Sequence, residues 1–146
     1  MLIKLTGGRI YDPANGVDGE VRDIFIENGR IVSPSPNAKV DHEYAVHGRV
    51  IMAGGIDPHS HIGGGKMTIA RMMLPEDHIG QEFERTDITR AGVGYAIPST
   101  MTAGYRYAEM GYTAAFEPAM LPANARQAHM ELADTAIIDK GAFAML

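Results

Sequence analysis

The sequence predicts an α/β protein, with a small β-sandwich module over residues 1–50 and the start of a (β/α)8 barrel over residues 51–146. Short apolar segments separated by turn residues predict the module. The order strand, helix, strand, helix, strand that follows is typical of parallel βα units. A complete barrel takes roughly 250 residues, whereas about 95 remain after residue 50. We therefore expect an incomplete barrel, from the N-terminal part of a longer protein.

A β-hairpin is the clearest element of the predicted module. Residues 23–27 alternate between apolar and polar side chains, and residues 30–32 form the returning strand. Between them, Asn28 and Gly29 supply the two residues of positive φ that a type I′ turn requires. Two short strand pieces are also predicted, over residues 2–5 and 9–11, followed by a polar connection over residues 12–19.

The second part of the chain contains two predicted helices and two further predicted strands. Gly111 is expected to end the first helix in the left-handed conformation, and Asn124 is expected to cap the second. The helices are predicted over residues 103–110 and 125–133, and the strands over residues 112–116 and 142–146. Residues 63–102 show little periodicity, which predicts an irregular loop at the end of the barrel where active sites lie.

An apolar run over residues 50–56 leads into two histidines, His59 and His61. Side chains at i and i+2 of a strand leave the same face, so both imidazoles point the same way if the strand continues through them. Two such imidazoles can bind one divalent ion at about 2.0–2.1 Å each. The pattern therefore favours a metal site, and the alternative is a pair of surface or hydrogen-bonded histidines.

Composition narrows the classes of partner. The net charge is −5, and acidic and basic residues are interspersed, which argues against nucleic acid or an anionic membrane as a partner. Cysteine is absent, so a metal would be held by nitrogen and oxygen atoms. No segment has the form of a signal peptide or reaches the ~18 apolar residues of a membrane span. We therefore expect no membrane insertion and a cytoplasmic location.

Four sequence blocks carry a family resemblance. They are GIDPHSH at residues 55–61, KMTIARMMLPEDH at 66–78, PST at 98–100 and GYRYAEMGYT at 104–113. The first block resembles the end of the first barrel strand in the amidohydrolase superfamily, where a His-x-His supplies the first two metal ligands. Together the blocks resemble the amidohydrolase-type subunit of formylmethanofuran dehydrogenase over the whole of this chain. The same blocks also resemble the alpha subunit of the bacterial formyltransferase/hydrolase complex.

The resemblance implies an enzyme subunit with a dinuclear zinc centre, to which His59 and His61 contribute. In that family the subunit joins formate to the amine of methanofuran or hydrolyses formylmethanofuran, while a partner subunit with a molybdenum or tungsten pterin interconverts carbon dioxide and formate. A carboxylated lysine, later histidines and an aspartate complete such sites. Neither Lys66 nor Lys140 has a fourth-strand position, so we expect these residues, including the catalytic ones, downstream of this chain.

Other candidate residues follow from the same comparison. Arg71, Tyr105 and Arg106 are candidates for contact with substrate or with another subunit, although Arg106 could equally form a surface ion pair. Glu117 follows a predicted barrel strand, which favours a role in the site or in support of its ligands. The remaining histidines are expected to be exposed or structural: His42, His47, His78 and His129.

Two alternatives to the methanofuran enzyme stay open. A cyclic amide hydrolase of the dihydroorotase or hydantoinase type would share the β module and the histidine pair, but not the blocks at residues 66–78 and 98–113. A noncatalytic scaffold subunit of a multisubunit complex would bind no zinc. In each case we expect the 146-residue chain alone to be inactive.

Overall fold

The computed structural model of the chain describes residues 1–77, 79–80 and 99–145, without the side chains of Arg71 and Asp77. The backbone divides into two compact units, Met1–Ala53 and Gly54–Leu146. The sequence prediction placed the boundary after residue 50. Each unit contains its own sheet.

The first unit, all of which is described, is built on one five-stranded sheet. Its central strand is β1, which pairs antiparallel with β2 on one side and in parallel with β4 and β5 on the other. Strand β3 lies outside β2. The predicted β-sandwich is not confirmed, because a sandwich needs two sheets. The strands are β1 (Leu2–Asp12), β2 (Val17–Glu27), β3 (Arg30–Val32), β4 (His42–Ala45) and β5 (Val50–Met52).

The predicted hairpin between β2 and β3 is confirmed. Phe25 pairs with Val32, and Glu27 pairs with Arg30 next to the turn. The turn residues Asn28 and Gly29 have φ angles of 50° and 74°, as a type I′ turn requires.

The two strand pieces predicted near the N-terminus are one strand, β1, with a bulge in it. The register between β1 and β2 shifts between Leu5 and Gly8, and Gly7 has a φ of 75°. The Gly7 N–H donates to Asp23 Oδ1 at 3.0 Å, and Asp23 Oδ2 lies 2.9 Å from Lys4 Nζ. A bulge lets a strand continue past an extra residue. The sequence shows two separate apolar segments and therefore does not reveal that they form one continuous strand.

The described residues of the second unit form a parallel sheet with helices in the connections. The sheet order is β6-β7-β8, and all pairings are parallel. This agrees with the predicted βα order, while closure into a barrel stays a prediction. The elements are β6 (Gly55–Asp57), α1 (Gly65–Met73), α2 (Thr100–Glu109), β7 (Tyr112–Met120), α3 (Ala125–Leu132) and β8 (Asp139–Ala144), with 3₁₀ turns at Pro75–Asp77 and Pro122–Asn124.

The run over residues 50–56, predicted as one strand, is divided between the two sheets. Strand β5 ends at Met52, and β6 begins at Gly55. Gly54 lies so close to β7 that an added Cβ would fall 2.1 Å from the Thr113 side chain. The Gly55 N–H donates to the Gly111 carbonyl at 2.9 Å. The glycines therefore permit the close approach of β6 to β7.

Helix α1 lies in the segment that was predicted to be irregular, so that prediction was wrong for Gly65–Met73. The N–H and the hydroxyl of Thr68 both donate to the Gly64 carbonyl, at 3.1 and 3.2 Å, and close the first turn. A helix of this length is marginal on its own in water. Its formation therefore depends on tertiary contacts, which sequence periodicity does not report.

Helices α2 and α3 are both present, and α3 begins at Ala125 as predicted. Helix α2 begins at Thr100 rather than at residue 103, because Ser99 caps it by accepting the Thr102 N–H at 3.2 Å. Gly111 follows it with a φ of 88°, as predicted. The side chain of Asn124 makes no capping hydrogen bond to α3, so that part of the prediction was wrong.

Strands β7 and β8 are both longer than predicted. β7 continues past Phe116 to Met120, and β8 begins at Asp139. Pro118 lies at a register shift between Glu117 and Met120. A bulge tolerates a residue without an N–H, so the proline does not end the strand as the sequence suggested.

The core of the second unit draws one side chain from each surrounding segment. The buried cluster consists of Ile62, Ala103, Ala115, Leu132 and Ile138. Ile62 directly follows His61, so the core anchors the loop that carries the histidines. Helix α2 also approaches the segment before β8 through its backbone, since a Cβ on Gly104 would lie 2.3 Å from the Ala136 carbonyl oxygen.

Within the described residues, no helix is both long and apolar enough to cross a lipid bilayer.

Candidate metal site

His59 and His61 lie in the loop after β6 and not within the strand. Strand β6 ends at Asp57, so the condition that the strand continues through both histidines is not met. Pro58 cannot donate to a strand ladder, and Asp57 Oδ1 accepts the His59 N–H at 3.0 Å, which turns the chain. The two imidazole rings nevertheless lie together, with centroids 5.3 Å apart and planes at 82°.

A buried carboxylate holds one of these rings. Glu117, on β7, is 3% exposed, and its Oε1 and Oε2 lie 2.9 and 3.1 Å from His61 Nδ1. Oε1 also accepts the Ala119 N–H at 3.0 Å. An ionised carboxylate only accepts hydrogen bonds, so it pairs with an N–H at His61 Nδ1, and the neutral imidazole with this tautomer has its lone pair on Nε2. This carboxylate–imidazole pairing is the arrangement that orients histidine ligands in metal sites.

Ser60, between the two histidines, faces the protein interior and is 3% exposed. Its N–H donates to the Phe116 carbonyl at 2.9 Å, which keeps the loop beside β7. Its Oγ lies 3.0 Å from the Tyr107 hydroxyl of α2, and that hydroxyl donates to Asp57 Oδ2 at 2.9 Å. Burial raises the pKa of Tyr107; the Asp57 contact adds to this and the Ser60 contact opposes it. The tyrosine therefore stays protonated at neutral pH.

The three glycines that follow the histidines are required for close packing. An added Cβ on Gly63 would lie 2.9 Å from Thr100 Cγ2, and one on Gly65 would lie 2.2 Å from Asn124 Nδ2. Gly64 has a φ of 90°, a backbone conformation that residues with a side chain rarely adopt. A Cβ added there would lie 3.2 Å from the Cβ of Ala128. The glycine run thus lets the loop pass directly over α3.

A second buried carboxylate, Glu131 of α3, fixes this turn. It is 3% exposed, and its Oε2 accepts the Gly64 N–H at 2.7 Å. Its Oε1 accepts the Thr68 hydroxyl at 2.9 Å and the Gln127 amide at 3.0 Å. Glu131 therefore connects α3 to the start of α1.

The histidine pair suits zinc by its donor chemistry, since zinc binds imidazole nitrogen readily. The described residues contain no group of three or more histidine, cysteine, aspartate or glutamate side chains arranged to hold a metal ion. His59 and His61 would therefore supply two ligands of a site that needs others.

The family follows from comparison with known proteins. Residues 43–144 match the protein-family model described as "Amidohydrolase family". The chain belongs to the amidohydrolase family.

Two curated amidohydrolase relatives match almost all of the chain. It is 45% identical over 139 residues to Protein FwdA of Methanocaldococcus jannaschii, covering 94% of this chain and 24% of that protein. It is 41% identical over 146 residues to FhcA of the formyltransferase/hydrolase complex Fhc from Methylorubrum extorquens, covering 100% of this chain and 26% of that protein. The chain spans about a quarter of the length of both relatives.

A solved structure shows the same similarity. The crystal structure of the formyltransferase/hydrolase complex FhcABCD from Methylorubrum extorquens, in complex with methylofuran, superposes with a TM-score of 0.81 at 42% identity. The match covers 100% of this chain and 26% of that chain. The resemblance to this amidohydrolase branch that the sequence blocks carried is therefore confirmed.

Of the predicted substrate-binding residues, one lies beside the histidine pair. Arg106 lines a cavity of about 210 Å³ together with His61, Met67 and Tyr107. Tyr105 is 48% exposed on α2 and does not line that cavity. Arg71 lies in α1, and its side chain is outside the described residues.

Three of the other histidines of this amidohydrolase chain are described, and all three are exposed. His42 and His47 are exposed in the first unit, and His129 is exposed on α3, as predicted. His78 lies outside the described residues.

Sequence reasoning overlooked Ser60, Tyr107 and Glu131. Tyr107 is one turn from the buried Ala103, so helical spacing indicates that it lies on the inward side of α2. Glu131 stands beside Leu132, and nothing in the local sequence distinguishes it from a surface glutamate.

Proposed function

We propose that this chain is part of a zinc-dependent amidohydrolase subunit that joins formate to the amine of methanofuran or hydrolyses formylmethanofuran. The observation that carries the proposal is the match of the whole chain to FhcA and Protein FwdA. The structure of the Fhc complex in that comparison holds methylofuran. A furan-type amine or its formyl amide is therefore the substrate class that we propose.

His59 and His61 would hold zinc, with the other ligands of a dinuclear centre supplied by residues elsewhere in the protein. Zinc supplies polarisation of the amide carbonyl and activation of water, the two requirements for cleaving a C–N bond. Glu117 would favour the tautomer with the proton on His61 Nδ1, which leaves Nε2 as the nitrogen available to hold the metal. Arg106, on the cavity next to His61, is positioned to attract an acidic part of the substrate.

We further propose that the protein works in a multisubunit complex. The relative from Methylorubrum extorquens is a component of such a complex. In a formylmethanofuran dehydrogenase-type complex, a partner subunit with a molybdenum or tungsten pterin would interconvert carbon dioxide and formate. A cytoplasmic location stays a prediction.

The test uses the full-length protein in its complex, with zinc analysis and an assay of formylmethanofuran hydrolysis. His59→Ala and His61→Ala should each lower the zinc content and abolish turnover. His129→Ala, which changes an exposed histidine of α3, should leave both unchanged.

Each alternative function predicts a different result. Turnover of dihydroorotate or hydantoin, with none of formylmethanofuran, would identify a cyclic amide hydrolase. An unsubstituted protein without zinc, with no loss of complex function in the histidine variants, would identify a scaffold. Either result would overturn the proposed function.

A further inference from the structure

We infer that Tyr107 is a positioning residue for the histidine pair: its hydroxyl connects Asp57, where the loop that carries His59 and His61 begins, to Ser60, which lies between the two histidines. The inference rests on the proposed metal role of these two histidines. Tyr107 itself would touch neither the metal nor the substrate.

The hydrogen bonds around the loop converge on this hydroxyl. It donates to Asp57 Oδ2 at 2.9 Å and lies 3.0 Å from Ser60 Oγ, which donates to it. Asp57 is the last residue of β6, and Ser60 lies between the histidines. One oxygen atom from α2 therefore spans the turn and sets the distance between its two sides.

Each partner of Tyr107 passes the restraint to the backbone next to a histidine. The other carboxylate oxygen of Asp57 accepts the His59 N–H at 3.0 Å. The Ser60 N–H donates to the Phe116 carbonyl at 2.9 Å. Ser60 is 3% exposed, so water cannot easily replace a lost partner there. The backbone positions of His59 and His61 are thus coupled through one phenol.

Glu117 and Tyr107 restrain the site in different ways. Glu117 contacts the imidazole of His61 directly, so it sets the direction of one ring. Tyr107 acts on the backbone between the two rings, so it sets their spacing. Loss of Glu117 should therefore weaken one ligand, whereas loss of the Tyr107 hydroxyl should distort the geometry of both.

The chain offers a conservative variant and a matched control. Tyr107→Phe removes only the hydroxyl. The ring stays and can still pack against Tyr112, since the two ring centroids are 5.2 Å apart. Tyr112→Phe removes a hydroxyl from the other ring of the same pair and leaves the bonds to Asp57 and Ser60 in place.

The experiment uses full-length protein, with zinc affinity measured by chelator competition and the visible spectrum measured after cobalt(II) substitution. Tyr107→Phe should bind zinc about fivefold to tenfold more weakly, at or below the lower end of the range for direct ligand partners. Its cobalt spectrum should shift in band position and intensity. Tyr112→Phe should match the unsubstituted protein in both measurements.

A double-mutant cycle separates positioning from a general loss of stability. If Ser60 acts through Tyr107, then Ser60→Ala should weaken zinc binding alone but add little in the Tyr107→Phe background, because coupled residues are not additive. A zinc affinity and cobalt spectrum of Tyr107→Phe equal to those of the unsubstituted protein would overturn the inference while leaving the proposed function intact. Failure of the unsubstituted protein to take up zinc or cobalt would overturn both.

Discussion

In the first unit charged side chains meet at the surface, whereas in the second unit the carboxylates of Glu117 and Glu131 are each 3% exposed. Lys4 and Asp23 form an ion pair at 2.9 Å with side chains 22% and 34% exposed, and the Glu43 contact to Thr6 is exposed as well. Water and salt screen surface pairs of this kind, so their contribution to stability is small. Buried carboxylates need several hydrogen bonds to offset their loss of water.

The buried carboxylates of the second unit direct those hydrogen bonds to one stretch of chain. Glu117 accepts from His61, and Glu131 accepts from Gly64 and Thr68. All three donors lie within eleven residues of Asp57, the end of β6. The buried carboxylates of the second unit therefore fix the segment from the end of β6 into α1, which carries the candidate metal ligands, whereas the charged contacts named in the first unit are more exposed.

The largest expected effect comes from breaking a buried carboxylate contact. Glu131→Ala leaves the buried Gly64 N–H without its acceptor and removes the nearer of the two acceptors of the Thr68 hydroxyl. This loss should lower the free energy of unfolding of this unit by about 3 kcal/mol. Amide hydrogen exchange in α1 of the full-length protein should become faster. Glu43→Ala, the matched change in the first unit, should cost within about 0.5 kcal/mol. Equal losses for both variants would refute the distinction between the units.

A subtler change at the other buried carboxylate should affect metal binding more than stability. Glu117→Gln keeps an acceptor near His61 Nδ1 but removes the negative charge that supports the imidazole. We expect zinc affinity to fall by about tenfold, with the thermal midpoint of the zinc-free protein nearly unchanged. Glu43→Gln serves as the control in the first unit. Unaltered zinc affinity in Glu117→Gln would show that the carboxylate contact is not connected to the metal site.

The smallest expected effect is the pH dependence of the exposed ion pair. The hydrogen bond from Lys4, followed by that from the Gly7 N–H, lowers the pKa of Asp23 below 3.8. A depressed carboxyl pKa stabilises the fold above the unfolded value, and this contribution is lost as pH falls through the folded value. The hydrogen bond to Asp23 likewise raises the pKa of Lys4 above 10.5, so its contribution is present below 10.5 and lost as pH rises further.

Asp23→Asn tests this pair. The difference in thermal midpoint between the variant and the unsubstituted protein should be small near neutral pH and should vanish below the folded pKa of Asp23. Added salt should shrink it further, because exposed charges are screened. A difference that persists in strong acid would contradict an ionic origin.

Features governed by neighbouring residues could be predicted from the sequence. The turn at Asn28 and Gly29 depends on local φ preferences, and its prediction was confirmed. Helices α2 and α3 were found through their periodicity and through the glycine at residue 111. The histidine pair was also recognised, because its spacing and its glycine-rich surroundings are continuous in the chain.

Features governed by distant residues could not be predicted in detail. Helix α1 depends on Glu131, which is 67 residues from the Gly64 N–H that it accepts. The contact between His61 and Glu117 joins residues 56 apart. Tyr105 was chosen over Tyr107 because sequence blocks do not show which side of a helix faces a loop. The division of the apolar run between β5 and β6 was missed because it depends on pairing with strands that are distant in the sequence.

Gly104 gives the site a remote sensitivity. A Cβ added to Gly104 would lie 2.3 Å from the Ala136 carbonyl oxygen, so any side chain there would push α2 outwards. Tyr107 lies on the same helix, less than one helical turn after Gly104, and would move with it. A substitution at Gly104, a buried residue without a functional group, would therefore resemble the loss of a metal ligand. A survey of variants by metal binding would group it with the variants of His59 and His61.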